Sequence, residues 1–171
     1  MKLPKVIFTD IDGVWTDGGM YYDQTGNEWK KFNTSDSMGI LYCKLLNIKS
    51  VILTGETTEI VKRRSDKLKV DYLFMGCKNK LRIAEELLMS LKVSFEETAY
   101  IGDDLLDVHL LEKVGFSGAP ANAPDYIKSK VNFITPQSGG DGAFRGFVEE
   151  ILKRSGQMDY AMNLVLDTYT Q

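Results

Sequence analysis

The stretch Phe8-Thr9-Asp10-Ile11-Asp12-Gly13 sets two carboxylates two residues apart, directly after an apolar run. In a continuing strand both would lie on one face, because side chains alternate with period two. With head groups about 4 Å apart they would repel by about 4 kcal/mol at an effective dielectric of about 20. Something must offset that repulsion. Further along, Thr54-Gly55-Glu56, Gly76-Cys77-Lys78-Asn79-Lys80 and Gly102-Asp103-Asp104-Leu105-Leu106-Asp107 add more polar groups. Oxygen donors with no histidine or cysteine cluster suit Mg²⁺, which keeps several waters and completes its octahedron with phosphate oxygens. A lysine and a hydroxyl beside a carboxylate-held Mg²⁺ suit the charge of a phosphoryl group in transfer. One carboxylate of the pair can attack phosphorus and form an aspartyl-phosphate. The other can protonate the leaving oxygen and then activate water.

Each of these signals follows a short β-rich run. Residues 6–9, 50–53, 72–74, 99–101 and 132–134 read as strands, and helical spacing covers 37–46, 57–68, 80–91, 105–114 and 143–153. The alternation predicts an α/β fold, a Rossmann-like doubly wound parallel sheet covered on both faces. Ligands in such folds bind beyond the carboxyl ends of the strands, where the four loops would share one cleft. Residues 19–32 interrupt the rhythm and read as a β-hairpin turning through 23–27. The hairpin carries Tyr21, Tyr22, Trp29 and Phe32, with Trp15 nearby, more aromatic surface than two strands can bury. It either packs on its own domain or forms a subunit interface, and the interface is the preferred reading.

The 171 residues fit one domain over 1–155, with the insertion at 14–33 as its oligomer interface and an amphipathic tail over 156–171. The tail has three options: its own domain, a neighbour, or mobility. A net charge of −3 gives no reason to expect nucleic acid or an anionic membrane as partner. The first apolar run is too short for a signal-peptide core or a membrane span. Cys43 and Cys77 match no metal or redox spacing, and reduced thiols point to a cytoplasmic protein.

The segments "DIDGVWTDG", "TGE", "GCKNK" and "GDDLLD" resemble, in order, the four motifs of haloacid dehalogenase-type phosphatases, over about residues 5–150. The resemblance implies Asp10 as nucleophile and Mg²⁺ ligand, and Asp12 as acid/base and ligand through its carbonyl. It implies Thr54 and Lys80 as phosphate-binding groups, Lys80 also pairing with the nucleophile, and Asp103 as the residue completing the metal site. Asp104 or Asp107 would support that site from behind. The gaps between motifs have no room for a cap domain. "KKFNTSDSMGI", "FSGAPANA" and "SGGDGAFR" resemble the capless 3-deoxy-octulosonate 8-phosphate phosphatase family, whose close relatives act on nine-carbon nonulosonate 9-phosphates. A homotetramer built through the hairpin, with neighbouring subunits closing the site, is what this resemblance implies.

Two departures bear on the substrate. Octulosonate enzymes usually carry Thr-Gly-Arg where this chain has Thr54-Gly55-Glu56, and Asp-Gly-Tyr-Gly where it has Asp36-Ser37-Met38-Gly39. Glu56 would repel a sugar-acid carboxylate and prefer hydroxyls. That favours a phosphorylated nine-carbon sugar acid as partner, with the eight-carbon octulosonate as the alternative. Arg63, Arg64 or Lys67 on the next helix could supply positive charge, from the same subunit or a neighbour. Blander readings stand beside these. Thr54 could cap the next helix, Glu56 could serve its dipole, Lys78 competes with Lys80, and His109 sits inside a helix. Asp17 would serve the turn into the hairpin, and Gly139-Gly140 a turn before the last helix of the domain. A receiver-like phosphoacceptor domain is the non-enzyme alternative, although its phosphorylated Asp would end the third strand.

Overall fold

The computed structural model describes residues 1–169. Its strands in chain order are β1 (Val6–Thr9), β2 (Tyr21–Tyr22), β3 (Glu28–Trp29), β4 (Lys49–Leu53), β5 (Tyr72–Phe74), β6 (Thr98–Ile101), β7 (Phe116–Ala119) and β8 (Phe133–Ile134). The helices are α1 (Asp36–Leu45), α2 (Glu59–Leu68), α3 (Lys80–Leu91), α4 (Val108–Leu111), α5 (Asp125–Lys128), α6 (Ala143–Arg154) and α7 (Met158–Tyr169). Six strands form a parallel sheet in the order β5-β4-β1-β6-β7-β8, while β2 and β3 pair antiparallel by themselves. The expected doubly wound α/β architecture is present, with a hairpin and no cap between β1 and α1.

Strands buried on both faces need apolar side chains at odd and even positions alike, and β1 supplies them. Ile7 points with Ile52, Ala99 and Ile101 into a layer closed by Trp15, Ile40, Phe144, Phe147 and Ile151. Val6 and Phe8 point the other way, with Val51, Leu53 and Tyr100, onto Ala84, Leu88 and Leu110. Register sets the site: Thr9 lies beside Ile52 of β4 and Ile101 of β6. The chain therefore leaves three central strands at nearly the same level, carrying Asp10, Thr54 and Asp103 to one edge.

Three local differences from expectation have physical causes. Residues 105–114 are not one helix: a 3-10 turn at Leu105–Asp107 precedes the short α4. The Asp107 carboxylate turns back to accept the amides of Asp103 and Asp104, at 2.9 and 3.0 Å, which winds that turn tightly. Strand β7 was not expected, because Phe116-Ser117-Gly118-Ala119 lacks a β-branched run; a Cβ on Gly118 would collide with the Phe147 ring of α6. Trp15 belongs to the core rather than to the hairpin's surface. It is fully buried, donates from Nε1 to Thr9 Oγ1 at 2.9 Å and packs on Phe144. Of the three options for the tail the structure takes the first: it forms α7, which docks on its own domain through Met158, Ala161 and Val165, against α1 and α6. Residues 170 and 171 of the expected tail lie outside the described residues.

The hairpin forms as expected. Asp23 closes its tip by accepting from Thr25 and Asn27, and Asp17 takes the Gly19 amide and the Tyr21 hydroxyl at its base. Tyr22 and Trp29 stay 67% and 57% exposed on this chain. Among the described residues no helix is long and apolar enough to cross a membrane.

Candidate active site

Immediately after β1 the backbone turns on itself. The amides of Val14, Trp15 and Thr16 all reach the carbonyl of Ile11, at 3.1, 2.8 and 3.1 Å. Gly13 makes the turn possible with φ of +79°, and a Cβ there would run into the Asp103 carboxylate. A second glycine pair closes the turn from outside. The Gly140 amide donates to the Val14 carbonyl at 3.1 Å, and a Cβ on Gly139 would strike the carbonyl of Gly13.

The turn opens onto a cleft of about 340 Å³ whose lining includes Asp10, Asp12, Thr54, Glu56, Lys80 and Asp103. Gly55, Asp104 and Leu106 complete its rim. Asn79 caps α3 by accepting the Arg82 amide at 3.0 Å, which sets Lys80 at the first position of that helix. The Lys80 ammonium is buried 2.8 Å from Asp10 Oδ2 and 2.6 Å from Asp107 Oδ1. The fully buried Asp107 also accepts the Tyr100 hydroxyl. The remaining oxygen of Asp10 takes the Ile11 amide at 2.7 Å.

Burial, and then the charge of Asp107, push the Asp10 carboxyl up to about 7 against the pull of Lys80. Asp103 rises further, to about 8, through burial and the charges of Asp10 and Asp107. Burial would lower Lys80, but Asp10 and Asp107 outweigh it and hold the ammonium above the ordinary lysine range. The protein's own groups therefore do not balance these carboxylates, although one oxygen each of Asp10, Asp103 and Asp107 falls within 4.8 Å of the others. Asp103 Oδ1 is buried and has no hydrogen-bond partner among the described residues. An orphaned carboxylate oxygen among hard oxygen donors fits a divalent cation such as Mg²⁺. Asp107 already accepts two donors on each oxygen, whereas Asp10 accepts one on each, so Asp10 and Asp103 are the carboxylates with capacity left to hold it.

The structure also separates the alternatives left open by the sequence. Thr58, not Thr54, is the residue directly before α2, where its side chain makes no capping bond, and Glu59, not Glu56, is the acid in the first turn. Thr54 and Glu56 face the cleft instead. Lys80 is the lysine in the cleft, and Lys78 is not among its lining residues. Asp104 accepts the Leu105 amide at 2.7 Å and caps the 3-10 turn, so the supporting role falls to Asp107. His109 is exposed on α4. Arg64 and Lys67, expected to serve the substrate from the same subunit or a neighbour, do not line this chain's own cleft. The helix carries them away from the sheet edge at 1.5 Å per residue. Arg64 Nη2 donates to the Asn33 carbonyl at 2.9 Å with its guanidinium over the Phe32 ring. Lys67 flanks a separate depression beside Ser37 and Lys44.

Two residues were missed. Tyr100 reads only as an apolar strand residue in sequence, yet its hydroxyl meets Asp107. Lys30 follows β3 and brings its ammonium 2.6 Å from Asp12 Oδ1. Burial would lower that lysine, but the hydrogen bond and charge of Asp12, helped by Glu28 and Glu56, raise it instead. Alternation along the hairpin puts Glu28 and Lys30 on one face, but nothing in the spacing says that this face meets Asp12.

In its ionised form Asp10, which lines the cleft beside Lys80, can attack a phosphate ester, and Asp12 two residues on can handle the leaving group's proton. The receiver alternative lacks its acceptor: β5, the third strand of the sheet in chain order, ends at Phe74 with no carboxylate after it. The sequence profile of haloacid dehalogenase-like hydrolases matches residues 76–146. The chain is 37% identical over 153 residues to 3-deoxy-D-manno-octulosonate 8-phosphate phosphatase KdsC of Haemophilus influenzae, covering 90% of this chain and 85% of that one. It matches the crystal structure of a probable YrbI family phosphatase from Pseudomonas syringae pv. phaseolica with a TM-score of 0.92. The two are 38% identical, over 96% and 94% of the respective chains. The 3-deoxy-D-manno-octulosonate 8-phosphate phosphatase of Moraxella catarrhalis, solved with magnesium ion, phosphate ion and KDO, gives a TM-score of 0.90. Identity there is 31%, over 94% of this chain and 92% of that one. Fold, cleft and relatives agree that the chain belongs to the haloacid dehalogenase-like hydrolases, in the capless 3-deoxy-D-manno-octulosonate 8-phosphate phosphatase-like family, and is a phosphoric monoester hydrolase.

Proposed function

We propose that the chain removes the terminal phosphate of a 3-deoxy-2-keto sugar acid through an aspartyl-phosphate on Asp10. The observation that carries this reading is the meeting of Asp10, Thr54, Lys80 and Asp103, from four separated loops, in one cleft. Asp10 attacks phosphorus and the bond to the sugar oxygen breaks. The leaving oxygen takes a proton from Asp12. Water then attacks the phosphorus of the intermediate, gives its proton to Asp12, and phosphate departs with Asp10 restored. Thr54 and Lys80 hold the phosphoryl oxygens, and Gly55 shapes the loop between Thr54 and Glu56. Mg²⁺, held by Asp10, Asp103 and the Asp12 carbonyl, would neutralise phosphoryl charge. Replacing Asp10 with Asn should cut turnover by about 10³-fold or more with the fold intact. Retained hydrolysis would remove Asp10 as nucleophile.

The names of the relatives support the eight-carbon 3-deoxy-D-manno-octulosonate 8-phosphate as substrate, and that reading leads. A nine-carbon nonulosonate 9-phosphate is the second reading, favoured by Glu56 on the cleft wall. Specificity constants for the two phosphates, in the wild type and in Glu56→Arg, decide between them. If Glu56 selects hydroxyls, the arginine variant moves the ratio towards the octulosonate. An unchanged ratio removes the case for the longer sugar.

The hairpin is proposed as the contact of a homotetramer, on the strength of the exposed Tyr22 and Trp29. Arg64 or Lys67 would then serve a neighbouring subunit's cleft rather than its own. The cytoplasm is the proposed compartment, supported by the two free, buried cysteines Cys43 and Cys77.

A further inference from the structure

Lys30 is an unusual occupant for its place. Its side chain is wholly inaccessible to solvent, whereas that of Lys31 next to it is 60% exposed. Burying an ammonium group and fixing a long side chain both cost free energy. A hairpin that merely needed an anchor on the domain could use an apolar residue at no such cost. The ammonium instead reaches Asp12 Oδ1 at 2.6 Å and Glu28 Oε1 at 3.5 Å. Among the described residues the one other side chain bonded to the Asp12 carboxylate is Thr16, whose hydroxyl lies at a weak 3.4 Å. Lys30 is thus the strong tether on that carboxylate, and it comes from an inserted element rather than from the sheet.

We propose that Lys30 is a positioning residue for proton transfer: by holding Oδ1 of Asp12 it fixes the carboxylate rotamer and leaves Oδ2 aimed at the leaving oxygen. Through it the hairpin contributes to phosphoenzyme formation without touching phosphorus. This inference rests on the reading of Asp12 as acid/base. It gives the insertion a second task, independent of any surface it offers to another subunit.

The test compares two aryl esters whose leaving oxygens differ in their need for a proton. Phenyl phosphate needs one; 4-nitrophenyl phosphate needs it far less. For each enzyme kcat/KM reports the steps up to loss of the leaving group, and the ratio of the two values is independent of how much of the preparation is folded. In Lys30→Met, kcat/KM for phenyl phosphate should fall by about 30-fold or more, and for 4-nitrophenyl phosphate by about threefold at most. Lys30→Arg, which keeps a donor to Asp12, should recover most of the ratio, and Lys30→Gln should lie between the two. Asp12→Asn should show the same selective loss, and more strongly. Equal losses on both esters in Lys30→Met, or none, alongside a selective loss in Asp12→Asn, would overturn the role of Lys30 alone. A non-selective Asp12→Asn would overturn the acid/base reading of Asp12, and the inference with it.

Discussion

Asp107 and Lys80 meet at 2.6 Å behind the cleft, and the other oxygen of Asp107 collects the amides that carry Asp103 and Asp104. One carboxylate therefore orients both the phosphate-side lysine and the metal-side loop. Asp107→Asn should raise the Mg²⁺ concentration for half-maximal activity by about tenfold and lower kcat/KM by 10- to 100-fold, about what loss of a supporting partner behind a metal ligand costs. Mg²⁺ titrations of initial rate test this. An unchanged half-saturation would reduce Asp107 to a folding role.

Metal removal should be visible without turnover. Asp103 Oδ1 has no partner among the described residues, so a cation bound there would stabilise the folded chain by mass action. At 100 times its dissociation constant, Mg²⁺ should raise Tm by about 5–10 °C over chelator-treated protein, from about 2.7 kcal/mol and about 2–4 °C per kcal/mol at this size. In Asp103→Asn the shift should vanish. A variant that still shifts fully would place the ion elsewhere.

Asp36 begins α1 fully buried, with one oxygen on the Arg145 amide at 3.0 Å and the other without a partner. Burial lifts its carboxyl from the ordinary 3.8 to about 6, and the Arg145 amide with the charges of Arg64 and Arg145 recovers only part. Between pH 4 and 6 the folded chain then holds a proton that the unfolded chain has released, so this residue's contribution to stability falls as pH rises through that window and is flat above it. Wild type should lose on the order of 2 kcal/mol against Asp36→Asn between pH 4 and pH 7. Urea unfolding of both proteins across that range is the check. A difference that does not change with pH would mean that Asp36 ionises normally in the fold.

Trp29 and Tyr22 expose aromatic surface on a two-stranded ribbon that cannot bury it alone. Sedimentation of the wild type should therefore give a tetramer, and Trp29→Glu should shift it to smaller species by desolvating a charge in the contact. A wild type that sediments as a monomer would refute the interface.

What was legible in the chain followed from rules that act locally. The run feeding β1 was located to the residue, because a buried parallel strand must be apolar on both sides, and the half-buried edge strand β5 was located to the residue as a short apolar, aromatic run. Helix α3 was bounded to the residue too: Asn79 caps its start, and Lys92, at φ of 55°, ends it in the left-handed region. The acidic cluster was legible because adjacent strand ends converge in any such sheet. Contacts between remote side chains were not. Lys30 meeting Asp12 depends on how the ribbon folds over the β1 turn, and Arg64 turning to Phe32 and Asn33 depends on which face α2 presents. Strand β7 was hidden because its composition answers to the rings packed on it, with Gly118 making room for Phe147.

The seat of Gly139 and Gly140 on the Gly13–Thr16 backbone has a consequence for biosynthesis. The ribosome makes Asp10 and Asp12 before it makes the Gly139–Gly140 backbone that braces their loop. A nascent polypeptide truncated ahead of Gly139 would own every acidic group of the centre, but the first loop would lack the brace that shapes it. The shape of that loop is in this way completed only once Gly139 and Gly140 have been made.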